Sequence, residues 1–154
     1  MAGWPRLNTS RHGGALGGRC AFVMLVSALL ECATRALATR LGAPLAFNRG
    51  VAFGMLRGRP GWAVLLSGGA LALLLGDVFL SRGPRPARLA LSAAAGGAAA
   101  NLIQRLTDGA VTDWIPLPLS EALVEGGLCF NLADLEIALG TAAAFWVIVG
   151  DGSR

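Results

Sequence analysis

Four runs of apolar residues alternate along the chain with shorter segments that hold most of the Arg, Asp, Glu and Pro. Trp62 to Leu80 is the clearest run: its one acid, Asp77, lies near the far end, and Trp62 stands where an interfacial aromatic belongs. Leu89 to Ile103 is rich in Ala and Gly, which predicts a helix able to approach its neighbours closely. A low-complexity soluble linker is the alternative there, and the absence of charge argues against it. Leu135 to Val149, closing with Trp146, is the last run.

Cys20 to Leu30 is too short to span a hydrocarbon core and reaches that length only by continuing through Glu31 and Arg35 to Ala38. Two readings compete. One is a secretory signal peptide cleaved after Ala36-Leu37-Ala38. The other is a retained helix emerging at Arg40, with Glu31 and Arg35 one turn apart as an ion pair. Two charges between apolar core and cleavage site favour retention. Met1 to Arg19 shows no helical periodicity and reads as a loose tail.

The pattern predicts an all-α polytopic membrane protein of four transmembrane helices. It divides into a tail over 1–19, one membrane domain over 20–150 and a short tail over 151–154. Composition agrees: 55% of the 154 residues are hydrophobic and 14% charged, with a mean hydropathy of +0.61, whereas soluble domains carry about a quarter charged residues.

All 13 basic residues are Arg, against 9 acids, for a net charge of +4. Arg6, Arg11, Arg19, Arg82, Arg85 and Arg88 flank the apolar runs without interleaved aromatics, which suits lipid headgroups and excludes a nucleic-acid surface. Four spans put both termini on one side together with these Arg and Arg154, against Arg40, Arg49, Arg57 and Arg59 opposite. The balance leans to cytoplasmic termini. Cys20, Cys32 and Cys129 form no CxxC pair and the chain has a single His, so neither a metal site nor a disulfide framework is expected.

Candidate chemistry lies in three polar stretches hard against the spans: Asn48 to Gly54, Asn101 to Ile115 and Phe130 to Asp134. The four-span topology brings all three to the non-cytoplasmic face. Asp113 and Asp134, gathered there, could share a proton and activate water against an amide. Taken singly, each has a plainer role. Asn131 can cap a helix with Asp134 in its first turn, and Asp113 can be a solvated loop acid. Arg105 can pair with a carboxylate or a lipid phosphate, and Asp77 reads as an interfacial acid.

Together these stretches resemble the lipoprotein signal peptidases, or type II signal peptidases, small polytopic membrane aspartic peptidases. The matching motifs are Glu31-x-x-Thr34-Arg35, Asn48-x-Gly50-x-Ala52-Phe53-Gly54, Asn101-x-x-Gln104-Arg105-x-x-x-Gly109-x-Val111-x-Asp113-Trp114 and Phe130-Asn131-x-Ala133-Asp134. They occur in family order and spacing, across roughly residues 21 to 150. The resemblance implies Asp113 and Asp134 as the catalytic pair, with Asn48, Gly50, Asn101, Arg105, Asn131, Glu31 and Arg35 binding substrate or bracing the site. It further implies a four-helix bundle in the bacterial inner membrane, active as a monomer, with a small extracytoplasmic β-rich platform from Leu41 to Gly61. The substrates would be prolipoproteins carrying a diacylglyceryl-Cys, met within membrane lipid, and neither metal nor organic cofactor is implied.

Three positions depart from the family pattern. Gln104 stands where Asp is usual, removing a partner for Arg105, and Glu31 and Arg35 replace Asp and Lys. These departures leave open a weak or inactive paralogue that binds lipoproteins. A proton- or solute-carrying membrane protein using Glu31, Asp77, Asp113 and Asp134 is the other alternative, disfavoured because these acids lie at span ends.

Overall fold

A computed structural model describes residues 10–50, 58–118, 120 and 127–152 of the chain. Four helices follow one another there: α1 (Ser10–Arg40), α2 (Pro60–Phe79), α3 (Arg85–Thr107) and α4 (Leu132–Gly152). Four short strands accompany them: β1 (Ala46–Asn48), β2 (Val111–Asp113), β3 (Ile115–Pro116) and β4 (Cys129–Phe130). Gly14–Arg40, Pro60–Phe79 and Leu132–Asp151 are long and apolar enough to cross a membrane.

α3 is the central helix and packs against the other three. Its small residues allow backbone-level approach. A Cβ at Gly96 would lie 2.6 Å from Ser27 Cβ on α1 and nearer still to the Met24 carbonyl, and one at Gly97 would lie 2.9 Å from the Ala133 carbonyl on α4. From the α4 side, a Cβ at Gly140 would come within 2.6 Å of the Ala90 carbonyl. The interior is accordingly built of Ala87, Ala94, Ala95, Ala98, Ala100, Ala133 and Ala144, while Leu25, Leu73, Leu139, Phe145 and Trp146 face outward. This is the reverse of a water-soluble core and fits a lipid environment, in which close van der Waals contact holds helices together.

At one end of the bundle Leu16, Cys20 and Val78 pack with Leu89 and Leu91, and the Arg88 Nε donates to the Val78 carbonyl at 2.7 Å. The opposite end carries the strands. There α1 and α3 both stop at a left-handed glycine, Gly42 and Gly109, each at φ 70°, the conformation that closes a helix C-terminus with little strain only for Gly. β1 then pairs antiparallel with β2, Ala46 opposite Asp113 and Asn48 opposite Val111, and β3 pairs with β4.

Two boundaries differ from the sequence reading. α1 begins at Ser10, so half of the expected 1–19 tail is helical, and its Leu16 and Cys20 are buried. Packing at that end supplies what the weak local periodicity does not. The β platform is likewise not a product of 41–61 alone. Among the described residues only β1 comes from that segment, and its partner β2 comes from the connection after α3. Ala52, Phe53, Gly54 and Arg57, with Arg6 and Arg154, lie outside the described residues.

Candidate active site

Asn131 organises the strand-bearing end. It precedes α4, accepts the Asp134 N–H on Oδ1 at 2.9 Å, and donates its own N–H to Asp134 Oδ2 at 3.3 Å. This reciprocal pattern is an Asn/Asp form of the capping box. The same side chain reaches further: Nδ2 donates to Asp113 Oδ1 at 2.8 Å and to Asn101 Oδ1 at 3.1 Å. Asn101 Nδ2 in turn donates to Asp134 Oδ1 at 3.0 Å. Both plainer roles weighed for Asn131 and Asp134 are therefore met, and the two acids are joined through a pair of buried carboxamides as well.

Asp113 is no solvated loop acid. It ends β2 only 2% exposed, and its pKa is pushed up from 3.8 to about 7, chiefly by burial and next by the charge of Asp134. Hydrogen bonding from the Asn48 side chain, then from Asn131, and the positive charge of Arg105 offset part of that rise. Burial also raises the Cys129 thiol on β4, with Asp113 adding to it.

Arg105 projects from the last turn of α3 across the first loop. Its Nη2 donates to the Gly50 carbonyl at 2.9 Å and its Nη1 to the Asn101 carbonyl at 3.3 Å. Asn48 Oδ1 accepts the Gly50 N–H at 3.0 Å, folding the start of that loop onto itself. Arg105 thus has backbone partners and does not depend on an acid at position 104.

The expected Glu31 to Arg35 ion pair is replaced by other partners. Arg35 meets Asp108 at 3.6 Å on a half-exposed surface, where such a bridge contributes little. Glu31 is fully buried and turns inward to the Ala133 N–H and the Gln104 side chain. Helix packing decides this, because the face of α1 carrying Glu31 is pressed onto α3 and α4. Gln104, read from sequence as a loss, is a buried hub. Its signal was its spacing: three residues after Asn101, it shares that residue's helix face in an otherwise Ala-rich segment.

The structure thus gathers Asp113, Asp134, Asn101, Asn131, Arg105, Asn48, Gly50 and Glu31 at one end and leaves Arg35 at the rim. Among the described residues no three His, Cys, Asp or Glu side chains converge as a cation's ligand set. The arrangement offers a buried carboxyl able to hold a proton near neutrality beside a second carboxylate furnished with N–H donors, which is what activating water requires.

The family model for signal peptidase (SPase) II matches residues 22–149. Among curated relatives, a lipoprotein signal peptidase of Azoarcus sp. (strain BH72) is 36% identical over 118 residues, 71% of this chain and 63% of the relative. One of Chlorobium luteolum is 38% identical over 102 residues, covering 60% of this chain and 59% of the relative. The chain spans about three fifths of the length of the curated relatives it matches. A solved bacterial membrane enzyme structure superimposes with a TM-score of 0.73 at 20% identity, covering 88% of this chain and 90% of that one, and so shares the fold.

Proposed function

The chain belongs to the signal peptidase II family, and from that premise we propose that it is a membrane aspartic endopeptidase acting on diacylglyceryl-modified prolipoproteins. It removes their signal peptides by cleaving just before the lipidated Cys. The observation carrying this reading is Asn131, whose one side chain touches both Asp113 and the backbone of Asp134, joining two acids from separate motifs in one buried site.

The hydrogen-bond pattern supports a division of roles between them. Asp134 accepts donors on both oxygens, from Asn101 and from the Asn131 N–H, which suits a carboxylate. Asp113, the less solvent-exposed of the two and with its pKa pushed up to about 7, holds the proton the pair shares. Water between them gives a proton to Asp134 as its oxygen attacks the scissile carbonyl, and Asp113 protonates the carbonyl oxygen. The tetrahedral diol then collapses with a proton delivered to the departing amine, leaving acid and amine products without a covalent enzyme intermediate. Asn48, Gly50, Asn101, Arg105 and Asn131 brace the site and hold the substrate backbone.

All four helices span the bacterial inner membrane in this reading, both termini cytoplasmic and the site near the extracytoplasmic face. α3 is the least apolar because three helices shield it from lipid, so Ala and Gly suffice where α1, α2 and α4 need large side chains. The diacylglyceryl chains stay in lipid while the peptide bond reaches water. The protein works as a monomer.

The test is cleavage of a diacylglyceryl-modified prolipoprotein peptide by the detergent-solubilised protein, run beside Asp113→Asn and Asp134→Asn. Wild type should cut and both folded variants should not. A gel shift of substrate by either variant at the wild-type rate refutes the assignment.

A further inference from the structure

Behind the two acids lies a second polar unit, wholly buried and outside the proton chemistry above. Glu31 on α1 accepts the Ala133 N–H on Oε2 at 3.1 Å and a Gln104 Nε2 hydrogen on Oε1 at 3.4 Å. Gln104 Oε1 accepts the Thr112 N–H at 3.0 Å. Ala133 immediately precedes Asp134, and Thr112 immediately precedes Asp113. A continuous chain of three hydrogen bonds therefore runs from the backbone beside one acid to the backbone beside the other, through side chains of α1 and α3.

The polarity of this chain is dictated by its ends. Both ends are backbone N–H groups, which can only donate. The two side chains between them must supply an acceptor to each end and one donor–acceptor contact to each other. One carboxylate and one carboxamide satisfy all three bonds. Two ionised carboxylates leave oxygen facing oxygen unless they hold a proton between them, and two carboxamides leave one N–H facing another, each a buried polar conflict.

We propose that Glu31 and Gln104 are a matched carboxylate–carboxamide pair that positions Asp113 and Asp134 relative to each other. Gln104 is then a positioning residue, and in this chain the amide at 104 complements the longer acid at 31. The proposal rests on the peptidase reading for its catalytic consequence, but the pairing itself does not. For Gln104→Asp the pairing predicts a loss of activity, because a second acid is placed beside Glu31 and the Gln104 donor is removed. The other charged groups bearing on Glu31 are Arg35 on α1 and Asp134 and Glu136 on α4, while α3 offers it Gln104.

The pairing has a near-isosteric exchange. In Glu31→Gln with Gln104→Glu, residue 31 accepts from Ala133 and donates to residue 104, which accepts from Thr112, so every bond survives. The experiment compares wild type, each single variant and the double variant in detergent, reading kcat, KM and apparent Tm across pH. Each single change should lower kcat by about tenfold with KM nearly unchanged, and the double variant should recover to within about threefold of wild type. Gln104→Glu alone should regain activity relative to wild type as pH falls, because one proton shared by two carboxylates restores the missing donor, whereas Glu31→Gln should not. A double variant no better than the singles in Tm and kcat overturns the pair. Singles that lower Tm but leave kcat and its pH profile unchanged overturn the positioning role. If no protein in the set cuts the peptide while Tm falls in the singles and returns in the double, the pairing stands and the peptidase reading fails.

Discussion

Asp113→Asn should have two opposite effects, ending turnover while strengthening the fold. Asp113 is 2% exposed with its pKa pushed from 3.8 to about 7, so the folded chain keeps a proton that the unfolded chain releases near pH 4. Stability attached to this group is complete below the unfolded value and is lost as pH rises through the folded one. At about 1.4 kcal/mol per pH unit, the full loss reaches about 4 kcal/mol, which is a ceiling because neighbouring groups relax. Asn cannot ionise, yet its Oδ1 still accepts the 2.8 Å hydrogen bond from Asn131. The variant's advantage over wild type should therefore grow by about 3 kcal/mol between about pH 5 and about pH 8. For a chain of this size that is roughly 6–10 °C in melting temperature. Thermal scans in detergent at one fixed rate measure it, the rate being held because such unfolding is seldom reversible. An advantage that is the same at both pH values, or a variant less stable than wild type at the higher one, would show that Asp113 does not carry a proton in the folded state near neutrality.

Wild-type kcat/KM should fall as pH rises above about 7, where Asp113 loses the proton it delivers, and a rate that keeps rising through that range contradicts the assigned roles. Asp134→Asn should abolish cleavage while leaving the helical circular-dichroism signal intact, since Asn at that position can still accept at the helix cap. Asp77 is exposed on α2, away from the site, and Asp77→Asn should cut the same peptide at the wild-type rate. Gly96→Ala forces its new methyl to within 2.6 Å of Ser27 Cβ and nearer to the Met24 carbonyl, whereas Gly68→Ala meets nothing within 4 Å. The first should cost about 1–3 kcal/mol and the second close to nothing or a small gain, compared by apparent Tm.

Much of the architecture was legible because a membrane helix is a local object. Its backbone bonds are satisfied within the segment, and lipid accepts any large apolar side chain without asking for a partner. Trp62 to Leu80 could be read as a helix with no knowledge of its neighbours, and α2 spans Pro60–Phe79. Asp113 and Asp134 stood out by the motifs they complete, and the Asn131 cap on α4 was legible because it is made within four consecutive residues. The start of α1 was less legible: Gly14, Gly17 and Gly18 are poor helix formers, and burial of Leu16 and Cys20 against Val78 outweighs that weakness.

The partners of polar side chains were beyond local reading. Nothing in the order of residues states that Glu31 ignores Arg35, one turn away, for a backbone N–H on α4 and a carboxamide on α3. Nor does it state that β1 finds its partner more than sixty residues downstream. The apolar pattern alone specifies which segments enter a bilayer, because transfer into lipid is a property of each segment. Which polar groups meet depends on how α3's small residues let α1 and α4 close on it, and that rotation and depth exist only once the helices are packed. Buried hydrogen bonds are directional and short, so a choice made by packing decides whether Gln104 is a defect or a complement.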